Sequence, residues 1–461
     1  MSPYIALSTS FGILALVVLS NDIATGTVYG VCLLILLIQI RGGNGRSAAQ
    51  KAFLFLVGSA VLVSCFVRPA FLSAYPSLFK FRDIGVLTFS DLTISLIWAT
   101  AFSLVFLVFY KWGLNLGSRK GGLTASRKWQ FKIFCRPIFK FFIFVLAFLW
   151  LYLVFVTGYA SKATESNKVL GLILPFNLLI PACLILSSKI ATKAIMMRLF
   201  WFVLALLIAF AGVYRGSKAP PFLFLLIFFC LLYYDFAFVR GTHKIQISAR
   251  SSFGLLIGVF SIIAGVYWAN QFRWGVGEII VRTVYHDSGP LPSEILFLLD
   301  VISKRLNVFD GLTVMTQFGD QIDRVEFSWA NVFGATFAKL LPGVEGPPTM
   351  GVLVGREVNL MDYDVSYGGA LGLFGAALIM QDFYGGMALV AIVAVCFGLL
   401  SERVAALPRG PEQLFAFILM VQLLASWLLS GNFDILMANL VMLLVQVVFY
   451  AVILGKLKRV A

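Results

Sequence analysis

Charged residues are scarce in this chain: Asp, Glu, Lys and Arg make up 12% of its 461 residues, against about 25% in a soluble domain. With 60% hydrophobic residues and a mean hydropathy of +0.95, a water-soluble fold is excluded, because no packed core hides that much apolar surface. Cysteine is confined to Cys32, Cys65, Cys135, Cys183, Cys230 and Cys396, with none between Gln271 and Asp382. That spacing offers neither a disulfide framework nor a metal site. No repeat of fixed period occurs, and the halves lack the matching Gly/Pro-interrupted spans of an inverted-repeat carrier. The first apolar run, Tyr4 to Leu19, has no basic n-region and no small-residue cleavage site, so it reads as a retained span. The net charge of +15 is not a nucleic-acid footprint, since the basic residues fall in short clusters between apolar segments.

Apolar runs long enough to cross a hydrocarbon core of about 30 Å recur along nearly the whole length. They predict an all-α polytopic membrane protein with about twelve transmembrane helices. About nine of these fall within residues 1–270, from Tyr4 to Leu19 through to Phe253 to Asn270. Three more, Tyr384 to Leu400, Gln413 to Ser430 and Ile435 to Leu454, fall within 384–461. Lys and Arg crowd alternate connections: Arg41 to Lys51, Lys111 to Lys140, Lys189 to Arg198, Arg240 to Arg250, Arg403 with Arg409, and the tail with Lys456 and Lys458. The positive-inside rule therefore predicts that both termini are cytoplasmic. Gly368 to Met380 is apolar but about 20 Å long if helical, too short to cross alone. It reads as a re-entrant or interfacial piece.

Residues 271–383 form the only large connection, extracytoplasmic under this topology, and hold thirteen of the 21 acidic residues. A connection of that length is functional more often than passive. Its most informative stretch is Ile302-Ser-Lys-Arg-Leu-Asn-Val-Phe-Asp-Gly-Leu312. A turn around Asn307 would bring Arg305 to Asp310, either as a surface ion pair or as a guanidinium placed for phosphate. His286, one of only two histidines, stands beside Asp287 as a base with an orienting partner or as a solvated side chain. Asp362-Tyr-Asp364 has a metal-holding form, but two carboxylates at that spacing are common, so neither metal nor cofactor is expected. Arg68, before Pro69 at the outer end of the third span, either snorkels to headgroups or lines a lipid path.

The run R-L-x-x-F-D at Arg305 to Asp310, then F-x-x-x-L-P at Phe337 to Pro342, then Gln381-Asp-Phe-Tyr-Gly-Gly386 before a span, resembles the extracytoplasmic loop of Wzy-type oligosaccharide repeat-unit polymerases. The matching stretch covers roughly a quarter of the chain, and the order of the motifs carries it more than any one of them. Asp382 stands where that family more often has Glu.

The resemblance implies a GT-C-like glycosyltransferase of the bacterial inner membrane, polymerising O-antigen or a related polysaccharide on the periplasmic side. Its donor and acceptor would be undecaprenyl-pyrophosphate-linked oligosaccharides, with membrane lipid and a chain-length regulator protein as further partners. Negative charge growing on the leaving diphosphate calls for cations. Arg305, Arg324 and Arg356 are the first candidates, and Arg273, Arg68 and Tyr384 complete the substrate-binding set. The acceptor hydroxyl calls for a base, with Asp310 and Asp382 first, then Glu357 and His286. An O-antigen ligase and a flippase or transporter of lipid-linked oligosaccharide are the competing readings; the flippase would need charges spread through the spans.

Overall fold

A computed structural model describes residues 3–41, 48–78, 87–120, 292–305, 308–319, 327–341, 344–350, 371–407 and 411–430, with scattered positions elsewhere. Of the spans expected between 141 and 270 only scattered residues are described, and most of the last span lies outside the described residues. All regular structure among the described residues is helical. The elements are α1 (Pro3–Asn21), α2 (Ile23–Ile40), α3 (Ala48–Ala74), α4 (Phe89–Lys120), α5 (Ser293–Arg305), α6 (Phe309–Phe318), α7 (Trp329–Leu340), α8 (Gly372–Ala405) and α9 (Pro411–Ser430). Five of them, α1 to α4 and α8, are long and apolar enough to cross a membrane. The protein is therefore a helical membrane protein.

These helices form because their apolar runs leave the backbone no partner in hydrocarbon except itself. Their ends follow local chemistry. Asp22 caps α2, accepting from the Thr25 backbone N–H at 2.7 Å, and its hydrogen bonds to the Thr25 side chain and backbone hold its carboxyl below the usual range. Ser328 caps α7 through the Asn331 N–H at 3.3 Å, and Thr88 with Asp91 closes the start of α4.

Lipid gives no hydrophobic drive for one helix to join another, so packing and hydrogen bonds hold the bundle. Helix α4 lies against α8, running the same way: Trp98 meets Phe383 near one end, with ring centroids 4.3 Å apart, and the Tyr110 hydroxyl donates to Ser401 Oγ at 2.8 Å near the other. At Gly398 the backbones touch, since a Cβ there would stand 2.8 Å from the Leu114 backbone nitrogen and 2.9 Å from the Gly113 Cα.

Polar contacts between the helices define the two ends of the bundle. Lys111 donates to Gln39 at 2.7 Å and Gln50 to Glu402 at 2.9 Å, so the connections carrying Arg41, Lys51 and Arg403 share one end. Tyr4 packs on Phe55 at 4.9 Å and places the N-terminal end of α1 toward it. At the opposite end Thr25 meets Thr93 at 2.9 Å, and α5 and α6 dock there.

Candidate functional site

Helix α8 is not straight. Gln381 (φ −143°, ψ 17°) and Asp382 (φ 55°, ψ −166°) break its helical backbone, and a Cβ on Gly386 would stand 3.0 Å from the Ala377 carbonyl oxygen. Residues nine apart in a continuous helix are separated by about 13.5 Å. The stretch from Gly372 to Met380 therefore folds back along the turns that follow Phe383. All nine of its residues are buried. At its start Gly372 takes φ 66°, with the space of a Cβ filled by Val308, a conformation open mainly to glycine.

Asp382 occupies the reversal. It is the one non-glycine residue with positive φ among the described residues. Its φ/ψ pair falls in a region used almost only by glycine, costing about 1 to 3 kcal/mol where it occurs. Such strain persists only when the surroundings enforce it, and it gathers at functional positions. Beside Asp382 opens a cavity of about 310 Å³ lined by Trp98 of α4, Met315 and Thr316 of α6, and Leu378 and Phe383 of α8. Tyr384, next in the chain, is 85% exposed, and its ring lies edge-on to Phe383 at 5.2 Å. One carboxylate, one hydroxyl and an aromatic wall suit a polyhydroxylated ligand that stacks on a ring and gives up a proton.

A second charged group lies at the same end. Arg68 lies in the last two turns of α3, and its side chain is 0% exposed. Nε donates to both oxygens of Asp310, at 3.2 and 3.1 Å, while Nη1 donates to Asp300 at 2.6 Å and to Ser303 Oγ at 2.9 Å. The Phe71 ring lies 5.4 Å from the guanidinium carbon. Asp310 sits in the first turn of α6, where the helix dipole favours a carboxylate. Carbonyls of α3 in the turn before Pro69 also accept from outside the helix: Ser64 from the Val308 N–H at 3.0 Å, Phe66 from the Tyr29 hydroxyl at 2.9 Å.

Of the candidate residues, Arg68 and Asp310 are thus bonded to each other, and Asp382 and Tyr384 share the fold-back. Arg68 was expected among headgroups or on a lipid path; it is instead enclosed, because α5 and α6 bring two carboxylates onto it. Asp310 bonds Arg68, while its expected approach to Arg305 falls outside the described residues. Arg305 ends α5; its side chain, and Arg273, His286, Arg324, Arg356 and Glu357, lie outside the described residues. Sequence reasoning missed Asp300 and Ser303. Their signal is Leu296, Asp300 and Ser303 at helical spacing, an acid and a hydroxyl on the face that α5 buries. The F-x-x-x-L-P motif begins in the last turn of α7 and runs past its C-cap Leu341, and Phe333, Phe337 and Leu341 are exposed along one side, as suits contact with lipid. Comparison of the chain with protein-family models, with curated proteins and with solved structures finds no match.

Proposed function

We propose that the chain is a bacterial inner-membrane glycosyltransferase that polymerises lipid-linked oligosaccharide repeat units on the periplasmic face. The observation that carries the reading is Asp382, a carboxylate on strained backbone at the tip of a buried fold-back, beside an aromatic cavity of about 310 Å³. In this scheme a hydroxyl of the acceptor repeat unit attacks the sugar C1 of the growing chain. The new C1–O bond forms as the C1–O bond to undecaprenyl pyrophosphate breaks, and the acceptor proton passes to Asp382. Arginines of the 271–383 segment, Arg305, Arg324 and Arg356 first, stabilise the diphosphate that leaves. The folded-back stretch then serves as a re-entrant helix holding the base near the outer headgroups.

Deleting the gene and restoring it on a plasmid tests the reading. A polymerase deletion leaves single repeat units on the lipid A core, and Asp382→Asn fails to restore long chains while inserting normally. No capped core would show a ligase, and units trapped inside would show a flippase; either result, or full restoration by Asp382→Asn, overturns the proposal.

A further inference from the structure

Between Arg68 and the Asp382 turn runs an unbroken chain of close contacts through parts of the molecule far apart in sequence. Arg68 joins α3 to Asp300 on α5 and Asp310 on α6. The Val308 N–H, just ahead of α6, anchors on the Ser64 carbonyl one turn below Arg68. One residue beyond Asp310, the α6 backbone lies against the start of the fold-back: a Cβ on Gly311 would stand 2.5 Å from the Leu371 Cα, and a Cβ on Gly375 would stand 2.8 Å from the Gly311 carbonyl carbon. Met315 and Thr316, on the next turns of α6, face the cavity that Asp382 and Leu378 line. Backbone against backbone leaves no soft side chain to absorb a shift, so a displacement of α6 moves Gly372 to Met380, and with it the turn at Asp382.

From this arrangement we infer that Arg68 is a positioning residue for Asp382: it fixes α6 on α3, and α6 fixes the fold-back that holds the carboxylate at the cavity. The inference rests on the reading of Asp382 as the base and goes beyond it, since it gives a buried arginine a mechanical part in place of diphosphate binding. A buried ion pair contributes little net stability compared with an apolar replacement, and its attested use is to specify one arrangement over others. Three donors in a rigid fork are what this task needs, because one side chain must hold two acids and a hydroxyl on two helices at once. Lysine keeps the charge and loses that fork.

The test uses the full-length protein in lipid nanodiscs and compares Arg68→Lys with Tyr110→Phe, which removes a buried hydrogen bond at the other end of the α4–α8 pair. Backbone amide exchange of residues 378–386 is expected to rise about tenfold in Arg68→Lys and to stay near wild type in Tyr110→Phe. In chain extension, Arg68→Lys is expected to lower kcat about tenfold or more with the donor KM unchanged. Unchanged exchange at 378–386 overturns the inference, and so does a raised KM with kcat intact, which would make Arg68 a headgroup ligand. Should Arg68→Lys fail to insert, Asp300→Asn keeps the Arg68–Asp310 pair and is expected to give an intermediate rise in exchange; no rise overturns the inference. If wild-type protein extends no chains yet the exchange result holds, the polymerase reading falls and the positioning role stands.

Discussion

At the scale of single residues, Asp382 and Arg68 spend stability in different ways. Asp382 sits in a backbone conformation that glycine adopts freely, so Asp382→Gly is expected to raise the unfolding temperature in detergent, by about 1 kcal/mol or more of stability, while abolishing chain extension. A variant that is both active and more stable would show that the strained turn has no catalytic use. Arg68→Met removes the cation from beside two buried carboxylates and is expected to cost about 3 to 5 kcal/mol. Phe71→Leu removes only the ring beside the guanidinium and is expected to cost about 1 kcal/mol. Thermal unfolding that ranks the two equally would contradict the pairing. The carboxylate of Asp382 could be picked out in the sequence by its place in Gln381 to Gly386, whereas the partners of Arg68 could not. A charged residue in an apolar run announces that it needs a partner, but periodicity describes a helix's own faces and says nothing of a segment about 240 positions away.

Among the elements, the long helices were legible because an apolar run of membrane length has few alternatives to a helix. The fold-back was legible only as a length problem: Gly368 to Met380 is too short to cross, and that fact does not say what it packs against. Its direction comes from contacts of Gly311, Gly375 and Gly386, where small residues let backbones meet. The same logic governs α4 against α8. Gly398→Val places methyl groups onto the α4 backbone and is expected to destabilise by about 1 to 3 kcal/mol or more. Gly30→Ala on α2, where no atom lies within 4 Å of the new Cβ, is expected to be neutral or slightly stabilising through helix propensity. Melting temperatures of the two variants decide the matter, and a harmless Gly398→Val would break the α4–α8 contact.

For the whole molecule, the connections carrying Arg41, Lys51 and Arg403 share one end of the bundle, which fits the alternation of basic connections in the sequence, and labelling tests which side of the membrane that end faces. Lys111 and Glu402 meet partners at one end, and Arg68, Asp300, Asp310 and Asp382 gather toward the other. In a chain freed of its native cysteines, cysteine at exposed Glu345 or Tyr384 is expected to react with a membrane-impermeant maleimide added outside the cell, and cysteine at exposed Leu407 only after permeabilisation. The reverse pattern would put the Asp382 cavity in the cytoplasm, where no periplasmic substrate reaches it.

The most direct measurement is chain extension by the purified protein in proteoliposomes supplied with undecaprenyl-pyrophosphate-linked repeat units alone. A ladder of lengthening lipid-linked chains from the wild-type protein, absent with Asp382→Asn of equal folding, is the expected result. Wild-type protein that leaves every unit single, or an Asp382→Asn ladder equal to wild type, would contradict the account.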